Sequence, residues 1–224
     1  MNYPNTVRNI IFILVYVISG LALLIIIDGL ISGNELAPIN VAIGDLLRPL
    51  RSPTLTSFFL SITNLGSPFI LSIISMLIAI VLILRHDTYD ALLYIVSIAI
   101  ALFSFVILKN SFTLPRPEGG LIGLSGWSFP SGHATVATAF FFATAYTLYD
   151  SFKGTTQKFL LVFASVIGTL LICLSRLYLG AHWALDVLAG IALGFMCVSF
   201  TVLVFNFFIA KKSQKIRRKK NVLH

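Results

Sequence analysis

Long apolar segments constrain the fold of this chain more than any other feature of its sequence. Six of them approach the roughly 20 residues that a helix needs to cross a bilayer. They cover residues 9–27, 67–84, 91–108, 134–148, 159–174 and 185–209. Backbone polar groups in hydrocarbon must find partners within their own segment, so such segments fold as helices. The sequence therefore predicts an all-α fold, a bundle of six transmembrane helices with short interfacial helices in the first outer loop.

Composition places the whole chain in the membrane. It has 224 residues, of which 58% are hydrophobic and 11% are charged, and this leaves too little polar sequence for a separate soluble domain. We expect residues 1–210 to form one integral membrane domain and residues 211–224 to form a basic cytoplasmic tail.

The loop between the first two predicted helices contains glycines and prolines, and its apolar pieces are too short to span. Residues 39–47 and 54–61 are predicted to form helices that lie at the membrane interface. Residues 64–68, with the sequence Asn-Leu-Gly-Ser-Pro, are typical of a bend that leads into the second spanning helix.

The sixteen Lys and Arg residues indicate the orientation, because cytoplasmic segments retain positive charge. An even number of spans puts both termini on one side, and eleven basic residues fall there: Arg8, Arg85, Lys153, Lys158, Lys211, Lys212, Lys215, Arg217, Arg218, Lys219 and Lys220. The opposite side has five, namely Arg48, Arg51, Lys109, Arg116 and Arg176. Both termini are therefore predicted to be cytoplasmic. No aromatic residues are interleaved with the charges of the tail, which favours anionic lipid over nucleic acid as its partner.

The polar residues left outside the predicted helices gather in three clusters on the outer side. They cover residues 109–117, 129–133 and 175–186. Charged groups at membrane depth are costly, so their presence indicates a functional site. Because all three clusters are predicted at the same membrane face, we expect their side chains to meet.

Positive charge dominates these clusters. Taken singly, Lys109 could snorkel to the interface, Arg116 could be a loop charge and Ser131 could be a helix N-cap. Taken together, Lys109, Arg116 and Arg176 put three cations in a region with few acids, which suits a multiply charged oxyanion. Ser131 and Gly132 add backbone N–H groups at a helix N-terminus, where anions bind. The implied ligand is a phosphate.

Two histidines in the same clusters could supply chemistry. If a helix begins near His182, the four-residue spacing puts Asp186 on the same face, where its carboxylate can accept the imidazole N–H. The other ring nitrogen of His182 is then free to attack phosphorus. His133, on another helix, can protonate the leaving oxygen. A buried structural hydrogen bond is the ordinary alternative for the His182–Asp186 pair.

These residues resemble the signature motifs of the type 2 phosphatidic acid phosphatase family, and within it the phosphatidylglycerophosphatase B type. The three motifs are present in full and in order: Lys109-x6-Arg116-Pro117, Pro130-Ser131-Gly132-His133 and Ser175-Arg176-x5-His182-x3-Asp186. Among these positions, Ser175 is given a role by the resemblance alone.

The resemblance implies a mechanism and a set of site residues. His182 would form a phosphohistidine, Asp186 would orient it, and His133 would protonate the departing lipid alkoxide. The phosphate oxygens would be held by Lys109, Arg116, Ser131, Gly132 and Arg176. No metal and no other cofactor would be required.

The resemblance also implies the substrate class, a lipid phosphate such as phosphatidylglycerol phosphate, phosphatidate or undecaprenyl diphosphate, taken from the bilayer on the extracytoplasmic side. Three alternatives remain open from the sequence. One is a phosphotransferase of the same fold, which passes the phosphoryl group to a second acceptor. The others are a vanadate-dependent haloperoxidase, against which the small size and apolar composition of the chain count heavily, and a transporter.

Overall fold

The computed structural model describes residues 5–32, 37–123 and 125–222, and within these ranges it contains helices and connecting segments but no strands. The helices are α1 Asn5–Ser32, α2 Ala37–Leu47, α3 Pro53–Leu65, α4 Pro68–Leu84, α5 Thr88–Phe112, α6 Gly132–Leu148, α7 Thr155–Tyr178 and α8 Ala184–Val222. Two single 3₁₀ turns, Arg48–Leu50 and Tyr149–Ser151, adjoin α2 and α6. The prediction of an all-α fold is confirmed for the described residues. The six long apolar segments correspond to α1, α4, α5, α6, α7 and α8.

Length and hydropathy identify four helices that could each cross a membrane on their own. They are Val7–Ser32, Thr88–Phe112, Thr155–Tyr178 and Ala184–Phe208, and α3 with α4 would add a fifth as one span bent by 48°. Helices α4 and α6 have 17 residues each. At 1.5 Å per residue that is about 26 Å, slightly less than the hydrocarbon core of about 30 Å. The described residues therefore provide four or five candidate spans, and the count of six stays a prediction.

The predicted bend at residues 64–68 is confirmed, since α3 ends at Leu65 and α4 begins at Pro68. Each of these helices has a serine N-cap followed by proline, an arrangement that favours helix starts. Between them, a Cβ at Gly66 would lie 2.5 Å from the side chain of Ile172. The corner therefore packs tightly on α7. Helices form where interfacial ones were expected, and their position at the interface stays a prediction.

Helix α8 is the most buried of the four candidate spans and packs against α1, α5 and α6. Its contact with α6 depends on two glycines, as a Cβ on Gly190 would lie 2.7 Å from the backbone oxygen of Ser131. A Cβ on Gly194 would lie equally close, 2.7 Å, to the backbone oxygen of Thr135. Small residues of this kind let helix backbones approach closely. The glycine seam holds the first turn of α8 beside the first turn of α6. Helix α8 also continues to Val222, across the predicted boundary between membrane domain and tail.

Large apolar side chains cover the outside of the bundle. Ile18, Leu84 and Phe159 are 64–74% exposed, and many others on α1, α4 and α7 resemble them. So much exposed apolar surface on long helices is typical of contact with lipid. The structure is therefore that of a membrane protein, and its polar site lies at one end of the bundle.

Candidate active site

The three predicted polar clusters meet at one end of the bundle. His182 lies in the short segment between α7 and α8, and Arg116 reaches it from the α5–α6 segment, with Nη1 3.4 Å from Nε2 of His182. The backbone N–H of Ser131, which precedes α6, donates to the backbone oxygen of Asp186 over 2.9 Å. Contacts of this kind join residues from all three clusters.

The His182–Asp186 pair is formed and buried. Nδ1 of His182 lies 3.3 Å from Oδ2 of Asp186, which also accepts the backbone N–H of Trp183 over 2.9 Å. Helix α8 begins at Ala184, close to the predicted start at residue 185, so His182 lies just before the helix. The pair is made because Asp186 stands in the first turn, where its carboxylate folds back on the preceding segment. There the carboxylate also satisfies an N–H of Trp183 that has no partner within the helix.

The neighbours of His182 define its tautomer. A guanidinium can only donate, so the approach of Arg116 assigns a lone pair to Nε2 and leaves the proton on Nδ1, toward Asp186. Burial lowers the pKa of His182 well below its ordinary value of 6.5, and the positive charges of Arg176, Arg116 and Lys109 lower that pKa further. The ring is therefore neutral near pH 7, and the lone pair of Nε2 faces Arg116.

Two of the three predicted cations are held by backbone carbonyls rather than by carboxylates. Nζ of Lys109 donates to Trp127 O over 2.8 Å and to Ser128 O over 3.3 Å. Arg116 donates through Nε to Gly126 O over 3.1 Å and through Nη1 to Ala181 O over 2.7 Å. Burial lowers the pKa of Arg116. Carbonyls fix both side chains in place and leave their net charge for an anion.

Arg176 is the most buried of the three, with 3% of its surface exposed. Its Nη1 donates to Oγ1 of Thr63 over 2.7 Å, and its Nε is buried without a partner in the described part of the chain. A buried guanidinium is costly unless it is paired. The arrangement therefore suits an anion that binds between Arg176 and the other two cations.

Thr63 is a site residue that was not predicted from the sequence. It lies on α3, 113 residues before Arg176, and a single threonine in an apolar helix carries no motif. His133 stands in the first turn of α6, close enough to the backbone carbonyl of Thr63 and to Arg176 and His182 for their charges to act on it. The α3–α4 corner thus contributes to the site through Thr63.

The backbone N–H groups of Ser131 and Gly132 are only partly available to a phosphate, in contrast to the prediction. Ser131 is the N-cap of α6, and its Oγ accepts the backbone N–H of Ala134 over 3.4 Å. The expectation that its own backbone N–H is open to phosphate is wrong, because that group donates to Asp186 O. Its hydroxyl proton and the N–H of Gly132 are among the donors that the helix start can still offer. A Cβ on Gly132 would lie 2.9 Å from the ring of Phe105, so any larger residue would force that ring to shift.

The segment between α1 and α4 also contacts the segment that carries His182, and these contacts were not predicted from the sequence. Arg51 donates through Nε to Tyr178 O over 3.2 Å and through Nη1 to Gly119 O over 3.0 Å. The backbone N–H of Leu185 donates to Oδ1 of Asn40 over 3.0 Å. Residues 178–185 are thus fastened from outside by α2 and the turn after it. No sequence motif marks Arg51 or Asn40, so these hydrogen bonds could not have been found without the folded structure.

Ser175 is buried on α7, and its hydroxyl donates to the backbone oxygen of Ile172 over 2.6 Å. That bond lies within the helix, so Ser175 contacts no other site residue through it. Together the remaining residues provide a neutral imidazole, a carboxylate that orients it, a second histidine and three cations. Such a set can bind a phosphate, attack it and protonate the group that leaves.

Comparisons with known proteins agree with this chemistry. Residues 90–210 match the family model described as PAP2 superfamily. The chain is 30% identical over 175 residues to phosphatidylglycerophosphatase B of Bacillus subtilis, a match that covers 77% of this chain and 86% of that one. It is 26% identical over 172 residues to undecaprenyl-diphosphatase of Sulfolobus acidocaldarius, with 74% and 78% covered. The crystal structure of a PAP2 type phosphatidylglycerolphosphate phosphatase from Bacillus subtilis superposes with a TM-score of 0.72 at 26% identity, over 87% of this chain and 96% of that one.

Proposed function

The chain belongs to the PAP2 superfamily and is a membrane lipid phosphatase, and from this premise we propose that His182 is the nucleophile that takes the phosphoryl group from a lipid phosphate. One observation carries the proposal. The neutral ring of His182 lies between a carboxylate that orients it and cations that form no ion pair with a described carboxylate.

In the first step, Nε2 of His182 attacks phosphorus, and the bond from phosphorus to the lipid oxygen breaks as the P–N bond forms. Asp186 accepts the Nδ1–H and stabilises the positive charge that grows on the ring. His133 donates its proton to the departing lipid oxygen. In the second step, a water attacks phosphorus, His133 takes up its proton, and the P–N bond breaks to release inorganic phosphate.

The phosphate oxygens are held by Lys109, Arg116 and Arg176, with the hydroxyl of Ser131 and the N–H of Gly132 at the start of α6. Preorganised donors of this kind stabilise charge that develops in the transition state. As substrate binds, Arg116 must turn the hydrogen bond of its Nη1–H from Nε2 of His182 to a phosphate oxygen. The lone pair of Nε2 is then free to attack. The reaction needs no metal, since a ring of cations already does what a divalent ion would do.

The chain is proposed to cross the cell membrane six times, with both termini in the cytoplasm and the active site on the extracytoplasmic side. The uneven distribution of Lys and Arg supports this orientation, with eleven on one predicted side and five on the other. Helices α4 and α6 are short for a span, and a modest local thinning of the bilayer accommodates them.

The proposed substrates are phosphatidylglycerol phosphate, phosphatidate and undecaprenyl diphosphate. The names of the relatives support the first and the third, and all three are lipids with a terminal phosphate that the site can reach from the bilayer. The preference among them is the subject of the experiment.

The test is release of inorganic phosphate from each of these lipids in one detergent. We expect His182→Asn to lose at least a thousandfold in turnover, because the nucleophile is gone. The matched control is His86→Asn, an exposed histidine at the left-handed φ of 63°, which asparagine tolerates. A second alcohol is added in parallel, so that transfer to an acceptor is distinguished from hydrolysis. Near-normal turnover in His182→Asn would refute the mechanism.

A further inference from the structure

A cavity of about 50 Å³ lies beside the nucleophile, under α2. Its described lining includes His182, Gly44, Arg48, Arg51 and Glu118. A single water needs roughly 10–15 Å³ of such space. The cavity therefore has room for several waters or for one small oxyanion.

The cavity lies on the nucleophile's side of the reaction. Among the described residues that line it are His182 and the neighbouring Trp183, but not His133, Lys109 or Arg176. In a displacement at phosphorus the attacking and leaving atoms lie roughly in line. The lipid oxygen therefore departs away from Nε2 of His182, toward His133. The lipid chain therefore lies away from the cavity, which is left to water and to small water-soluble ions.

The charge of the cavity favours an anion. Arg51 is fixed by the carbonyls of Tyr178 and Gly119 and forms no ion pair with a described carboxylate. Arg48 is exposed and lies 3.7 Å from an equally exposed Asp45, a contact that water screens strongly. Glu118 is the acid in the described lining, and it too is exposed.

We propose that this cavity is the aqueous exit for inorganic phosphate, with Arg48 and Arg51 as its transient binding site. The inference rests on the proposed function, because it needs a phosphate released at His182. The lipid alcohol stays in the bilayer after the reaction, whereas the doubly charged phosphate must reach water. A polar opening next to the nucleophile separates the two products.

The first test changes the charge of the exit and measures inhibition by added inorganic phosphate. Arg48→Gln should raise the inhibition constant and Glu118→Gln should lower it. The effect expected of a unit charge within one Debye length, about 8 Å at 0.15 M salt, is about twofold on a doubly charged phosphate, and more at low salt. Both substitutions should change phosphate inhibition rather than kcat/KM. The reason is that kcat/KM covers only the steps up to departure of the lipid alcohol, which precede phosphate release. The matched control is Lys153→Gln, an exposed lysine at the other end of α7.

The second test narrows the exit. A Cβ on Gly44 meets no atom within 4 Å, so Gly44→Phe extends into open space without a clash at its base. Since glycine is a poor helix former, the replacement does not weaken α2. We expect the onset of orthovanadate inhibition to be several-fold slower in Gly44→Phe, because the ring narrows the path of the anion. In Gly44→Ala the onset should be nearly as fast as in the unaltered protein.

The outcomes are distinct. Opposite shifts in Arg48→Gln and Glu118→Gln, with slow onset in Gly44→Phe, support the exit. Unchanged inhibition in all three, or an equal shift in Lys153→Gln, overturns it while phosphate release from lipid still stands. A change confined to the KM for lipid overturns it too, because the cavity would then hold the lipid headgroup. Absence of phosphate release in the unaltered protein would instead refute the proposed function.

Discussion

Removing the hydroxyl of Thr63 tests how Arg176 is positioned. Thr63→Val keeps the shape of the side chain and removes the 2.7 Å hydrogen bond to Nη1 of Arg176. Both residues are 3% exposed, so water cannot easily replace the lost partner. A hydrogen bond to a charged group contributes about 1.5–3 kcal/mol. If about 2 kcal/mol of it serves to orient the guanidinium in the transition state, kcat/KM falls about 30-fold.

The measurement is kcat/KM for lipid phosphate release, together with the inhibition constant of orthovanadate. Vanadate mimics the attacked phosphate, so its inhibition constant should rise as kcat/KM falls. Thr63→Ser keeps a hydroxyl and should recover most of the activity. The matched control is Thr138→Val on α6, since Thr138 is 1% exposed and its hydroxyl has no partner in the described part of the chain. Activity of Thr63→Val within twofold of the unaltered protein, or equal losses in both valine variants, would refute the positioning role.

Two further predictions concern pH and packing. Because the folded pKa of His182 lies well below 6.5, the unfolded chain takes up a proton as pH falls through about 6.5 and the folded chain does not. The thermal unfolding midpoint should therefore drop on acidification below about pH 6.5 and drop less in His182→Asn; an identical drop in both would contradict the shift. Gly66→Ala forces a Cβ against Ile172 and should cost about 1–3 kcal/mol of stability, seen as a lower midpoint. The loss in the double variant Gly66→Ala/Ile172→Ala should be smaller than the sum of the two single losses, because truncating the buried Ile172 removes the clash; simple additivity would contradict it.

The residues of the candidate site could be predicted from the sequence because they stand at fixed local spacings. His182 and Asp186 are four apart, so one turn of chain brings them together whether or not His182 itself is helical. Three clusters at consecutive helix ends were bound to meet once the helices were known. The number of spans was harder to predict, because 17-residue helices such as α4 and α6 lie at the margin of what crosses a bilayer.

Contacts between distant parts of the chain could not be predicted from the sequence. Thr63 and Arg51 touch partners 113 and 127 residues away, through side chains that look ordinary in sequence. The backbone N–H of Ser131 is diverted to Asp186 O only because α6 and α8 touch. Such bonds depend on the packed structure, and no local pattern encodes them.

The glycine seam between α6 and α8 also determines where this enzyme can be redesigned. Gly190 and Gly194 leave no room for even one methyl group, so the wall that carries Ser131 and Asp186 can be neither widened nor tilted by a single substitution. Exposed positions of the α5–α6 segment that hold none of the site residues, such as Leu121, Gly123 and Ser125, tolerate a wider choice of side chains. Libraries that seek a new lipid preference should therefore randomise these positions, keep Arg116 and leave the α6–α8 seam intact.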